Sequence, residues 1–113
     1  TLGSPGFEHD FDLIRERSAR AWDRDHDPLG IARQAVASVA SGDRTEQLRR
    51  LTLPTLVVHG TADPMCDVSG GRATAAAIPG AELLLIEGMA HDLPRAARPR
   101  IIDAIVALVR RAR

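Results

Sequence analysis

Two short apolar runs limit what this chain can fold into more than any other feature of its sequence. "TLVVH" (residues 55–59) leads straight into a glycine turn at Gly60, and "ELLLI" (residues 82–86) is followed, after Glu87, by one at Gly88. An unbroken apolar run of this length is the form of a strand covered on both faces, which is the habit of parallel sheets. Between them, Gly71 to Ile78 is alanine-rich and is stopped by Pro79-Gly80, so it reads as a helix. After the second run, Pro94 opens a last helix. There Ile101, Ile102, Ile105, Leu108 and Val109 make one apolar stripe, and Arg98, Arg100, Arg110, Arg111 and Arg113 are solvated. The late arginines also complement the negative end of the helix dipole. Strand, helix, strand, helix predicts an α/β chain built on a βαβα unit, with parallel strands joined by a right-handed crossover.

That topology carries chemistry with it. All strands of a parallel sheet end at one edge, and ligands bind in the crevice outside those carboxyl ends. Asp63 lies four residues past His59, and His91 lies five past Ile86. Neighbouring strands sit about 4.8 Å apart, so the two loops can meet although the residues are far apart in sequence. An aspartate that accepts the Nδ1 proton of a histidine fixes its tautomer and stabilises the imidazolium formed when Nε2 takes a proton. Asp63 and His91 are therefore the candidate acid and base of a catalytic triad, and the group they serve would be a nucleophile.

The first half is polar and helical in pattern, with no strand candidate. Phe7, Phe11, Ile14 and Ala21-Trp22 form an amphipathic stripe closed by Pro28 and Gly30. Ile31, Ala35, Val36 and Val39 form a second one, ended at Ser41-Gly42. Composition changes at Pro54, which divides the chain into a helical segment 1–53 and a βαβα part 54–113. Fifteen basic and fifteen acidic residues cancel, so net charge argues for neither a nucleic acid nor an anionic membrane as partner. With one cysteine, Cys66, no internal disulfide is possible, and a reducing, cytoplasmic setting is the default. No apolar run approaches the roughly 18 residues of a membrane span. The chain begins with Thr1 rather than methionine, as expected of a processed protein or an excerpt.

"LPTLVVHGTADPM" followed by "IPGAELLLIEGMAHDLP" resembles the end of an α/β-hydrolase, where the triad acid follows the seventh strand and the histidine the eighth. The first half is similar to the cap and following helix of bacterial esterases akin to aclacinomycin methylesterase. The resemblance implies an esterase using a Ser-His-Asp triad, with Asp63 as acid and His91 as base, a small-molecule ester as substrate, and no cofactor or metal. It also implies a nucleophile on a Gly-x-Ser-x-Gly elbow upstream of the cap.

No such elbow occurs here. Ser4, Ser18, Ser38, Ser41 and Ser69 all lack glycine at both flanking offsets after a strand. The expectation is a C-terminal hydrolase portion that is inactive alone and pairs with the missing N-terminal part or with itself. Ala90 stands where the family usually has glycine, and Cys66-Asp67 makes the mouth of the site more polar. Asp67 competes with Asp63 as acid partner, and Asp63 itself could simply cap the Asp-Pro turn. His59 reads as a strand-end residue satisfying backbone groups, and Asp92 as a cap of the final helix. His9 and His26 read as surface residues. A zinc site from His59, Asp63, Cys66 and His91 lacks paired ligand spacing. A non-catalytic folding or interaction module, and a hydrolase of another kind such as a dehalogenase with an elbow aspartate, are the alternative functions.

Overall fold

The computed structural model describes residues 3–112; Thr1, and Arg113 of the expected solvated face, lie outside them. The chain separates into two compact units, one formed by residues 1–9 with 45–113 and the other by residues 10–44.

The smaller unit consists of two helices. Helix α1, Phe11–Arg24, is capped by Asp10, whose side chain accepts the Leu13 N–H. Its start corrects the expected stripe: Phe7 is not helical and belongs to the larger unit, where it packs against that unit's own core. Helix α2, Pro28–Ala40, also begins where the sequence suggested an end. Pro28 sits in its first turn behind the Asp27 cap, where a missing N–H costs no hydrogen bond and the fixed φ suits the helix. Neither helix has a buried residue.

The larger unit holds the parallel pair. Strand β1, Leu56–Gly60, lies beside β2, Glu82–Ile86, in the register Leu56↔Glu82 to Gly60↔Ile86. Helix α3, Thr45–Arg49, precedes β1. Helix α4, Val68–Ala77, makes the crossover and packs on both strands. It starts three residues earlier than its alanine content suggests, because Asp67 caps it through the Ser69 N–H. A single 3₁₀ turn, Arg95–Ala97, follows Pro94 and leads into α5, Arg98–Arg111, which packs on β1.

Ile86, Met89 and Ala97 form the buried centre, and Phe7, Val58, Leu84 and Ile101 close around it. Only part of the α5 stripe is covered. Ile101 and Leu108 are half-buried, whereas Ile102, Ile105 and Val109 are exposed. Arg98 departs from the solvated set: it is half-buried and donates through Nε and Nη2 to the Leu93 carbonyl.

Candidate active site

Both strands end at one edge, and backbone hydrogen bonds bind the loops that leave them. Thr61 N–H donates to the Ile86 carbonyl at 3.1 Å, Ala62 N–H donates to the Met89 carbonyl at 2.9 Å, and the Thr61 hydroxyl accepts from Gly88 N–H at 3.0 Å. The approach is close enough that residue 60 has no room for a side chain. A Cβ on Gly60 would lie 2.1 Å from the Met89 carbonyl oxygen. Gly88, with φ of +70°, turns the second loop out of β2 in a conformation that glycine adopts without strain.

This pair of joined loops brings Asp63 and His91 together. Asp63 Oδ2 lies 2.8 Å from His91 Nδ1, across 28 positions of sequence. The other carboxylate oxygen, Oδ1, accepts the N–H groups of Met65 at 2.8 Å and Cys66 at 3.0 Å. Turn capping and histidine pairing, which the sequence set against each other, thus fall to different oxygens of one side chain. Each fixes the orientation that the other needs. The Asp63 side chain is 7% exposed. Its desolvation raises the pKa. Hydrogen bonds from Cys66, His91 and Met65, together with the His91 charge, outweigh that and hold the carboxyl at about 2.

A carboxylate only accepts, so Nδ1 of His91 carries the proton and Nε2 of the neutral ring presents a lone pair. The His91 side chain is 42% exposed. Both residues line an open cavity of about 290 Å³ together with His59, Cys66, Ala90 and Leu93. A ring that can take a proton, held by a carboxylate at the mouth of a cavity, can act as a general base and then as a general acid.

The other candidates are placed elsewhere or otherwise engaged. Asp67 is the cap of α4, and hydrogen bonding from Ser69 holds its carboxyl below the ordinary value. His59 Nε2 donates to the Cys66 carbonyl at 2.9 Å, the backbone role expected of it, and its ring fills the space beside Gly71. His26 stacks on Trp22 and contacts its carbonyl. Among the described residues, no three His, Cys, Asp or Glu side chains converge as metal ligands. Ala90 is buried without strain, since no described residue other than glycine has a positive φ.

Asp92 does not cap a helix. The 3₁₀ turn and α5 start at Pro94 and Ala97 without a side-chain cap, and Asp92 Oδ1 instead accepts the hydroxyl proton of Ser4. By its sequence neighbours alone, Ser4 is only a serine without the flanking glycines of an elbow. Its one signal was its place in the tight "GSPG" stretch.

Compared with known proteins, the chain matches over residues 20–95 the profile of a family described as serine aminopeptidase, S33. It is 44% identical over 52 residues to non-heme chloroperoxidase CPO-A1 of Kitasatospora aureofaciens, covering 45% of this chain and 19% of that protein. It is 38% identical over 69 residues to rhodomycin D methylesterase DauP of Streptomyces sp. (strain C5), covering 61% of this chain and 23% of the other. A thermophilic esterase from Thermogutta terrifontis, solved with malate bound, matches with a TM-score of 0.55 at 30% identity. That match covers 62% of this chain and 26% of the esterase. The chain spans about a fifth to a quarter of the length of these proteins.

Proposed function

From the premise that the chain belongs to the hydrolase family described as serine aminopeptidase, S33, and carries part of an α/β-hydrolase fold, we propose that it supplies the acid and base of a serine esterase. The observation that carries this reading is the 2.8 Å contact between Asp63 Oδ2 and His91 Nδ1 at the carboxyl edge of two parallel strands. The identity to a methylesterase supports an ester as the substrate class.

In this reading the nucleophile is a serine outside these 113 residues, because no Gly-x-Ser-x-Gly occurs within them. As the serine oxygen attacks the ester carbonyl, Nε2 of His91 takes its proton and Asp63 stabilises the imidazolium. His91 then returns the proton to the departing alkoxide. Water attacks the acyl-enzyme by the same route in reverse, with His91 again the base, and the acid product leaves the free serine. No cofactor or metal enters these steps.

The test is hydrolysis of p-nitrophenyl acetate by a polypeptide joining these residues to a segment that bears the serine elbow. That polypeptide is expected to turn over, its His91→Ala variant to lose at least about a thousand-fold in kcat, and the 113-residue chain alone to be inactive. Turnover by the chain alone that His91→Ala abolishes would show that the nucleophile lies within it. The identity to a chloroperoxidase favours a second reading, in which the same pair serves a peroxide-dependent halogenation. Halogenation of monochlorodimedone with peroxide and halide, without ester turnover, would select that reading.

A further inference from the structure

Ser4 is the most completely buried side chain among the described residues, with no exposed surface, yet it is a hydroxyl, and both hydrogen-bond partners of its side chain are far away in sequence. Its oxygen forms two hydrogen bonds. It accepts the Ala90 N–H at 2.8 Å and donates to Asp92 Oδ1. Those two residues flank His91 on either side. The segment is also anchored by its backbone, through Gly6 N–H to the Gly88 carbonyl at 2.9 Å. The glycines lie so close that a Cβ on Gly6 would sit 2.7 Å from the Gly88 Cα. The loop that carries His91 is therefore joined on one side to the β1 loop and clamped on the other by residues 4–6.

From this we propose that Ser4 is a positioning residue for His91: a single hydroxyl that bridges Ala90 and Asp92 and so sets the ring of His91 toward Asp63. The inference rests on the reading of His91 as the base. A hydroxyl suits the task because it donates and accepts through one atom, so the Ala90 amide and the Asp92 carboxylate are both satisfied at one buried point. The constraint matters because, among the described residues, the Asp63 carboxylate is the one hydrogen-bond partner of the His91 ring. His91 and Asp92 are both exposed residues, and Ala90 and Met89 before them are buried. An exposed ring keeps a productive geometry only when the backbone beneath it is held.

The experiment is imidazole ¹⁵N NMR of the chain labelled at histidine, which reads the tautomer of His91 directly and needs no turnover. The unaltered chain is expected to show the Nδ1-protonated tautomer with its proton in contact with Asp63. Ser4→Ala should raise the Nε2-protonated fraction several-fold while the amide signals of β1 and β2 keep their positions. Asp92→Ala, which leaves Ser4 and its bond from the Ala90 N–H in place, should shift the tautomer the same way. Asp92→Asn keeps a carbonyl acceptor for the Ser4 hydroxyl and should restore it. Unchanged tautomer populations in both Ser4→Ala and Asp92→Ala would overturn the role of Ser4 and leave the Asp63 pairing standing. Nε2 protonation in the unaltered chain would overturn the pairing itself, and the inference with it.

Discussion

At the residue scale, the economy of Asp63 is the central fact. One oxygen is committed to the turn that holds the side chain in place, and the other to the histidine, so the carboxylate reaches His91 without freedom to rotate away. Because its folded pKa is near 2, below the ordinary 3.8, Asp63 stabilises the fold fully above about pH 4. That contribution is lost as pH falls from about 4 toward 2. Acid unfolding of Asp63→Asn should therefore depend less on pH in this window than that of the unaltered chain, as read by circular dichroism. An equal dependence in both would mean that Asp63 is unpaired in solution. In the elbow-bearing polypeptide the same variant should lower kcat about 10⁴-fold, the consequence of presenting His91 with a partner that can stabilise the wrong tautomer.

The elements place these residues through backbone contact rather than through side-chain packing. Gly60 is the point where the β1 loop touches the β2 loop, and its missing Cβ is what permits the Ala62 and Thr61 hydrogen bonds beside it. Gly60→Ala should thus cost about 3 kcal/mol, the upper end for an overpacked site, since the obstacle is a carbonyl oxygen and not a flexible side chain. Urea titration would show it, and a loss below about 1 kcal/mol would mean that the loops are not joined there. The meeting of Asp63 and His91 was legible because strands announce themselves: "TLVVH" and "ELLLI" end at one edge, and both residues lie just past it, with Asp67 the competing acid. Helix boundaries were less legible. Pro28 reads as a stop or as a first-turn residue according to what precedes it, and only the Asp27 cap decides between them. Ser4 was not legible at all, since a contact spanning 86 or more positions depends on where the chain's first residues pack and not on any local pattern. The same holds for Asp92, whose partner Ser4 lies 88 positions away.

On the scale of the whole molecule, the described residues form a sheet of two strands and leave apolar side chains uncovered. Ile102, Ile105 and Val109 of α5 are about half exposed, and Phe11, Trp22, Ile31 and Val39 of the two-helix unit more so. A sheet edge with unpaired backbone groups is a template for a further strand, and exposed apolar faces favour association. We propose that these surfaces pair with the remainder of a hydrolase or, in its absence, with another copy. Sedimentation of the isolated chain should then show species larger than the monomer. A single sharp monomer boundary with cooperative melting would contradict this. No helix among the described residues is long and apolar enough to cross a membrane.

Asp63 and His91 are expected to act as one chemical unit. A double-mutant cycle on kcat/KM, run in the elbow-bearing polypeptide with p-nitrophenyl acetate, measures this directly. If they are a unit, Asp63→Asn should add almost nothing once His91→Ala is in place. If instead the two losses multiply, each residue contributes independently, and the pair seen at 2.8 Å is not the acid and base of a common mechanism.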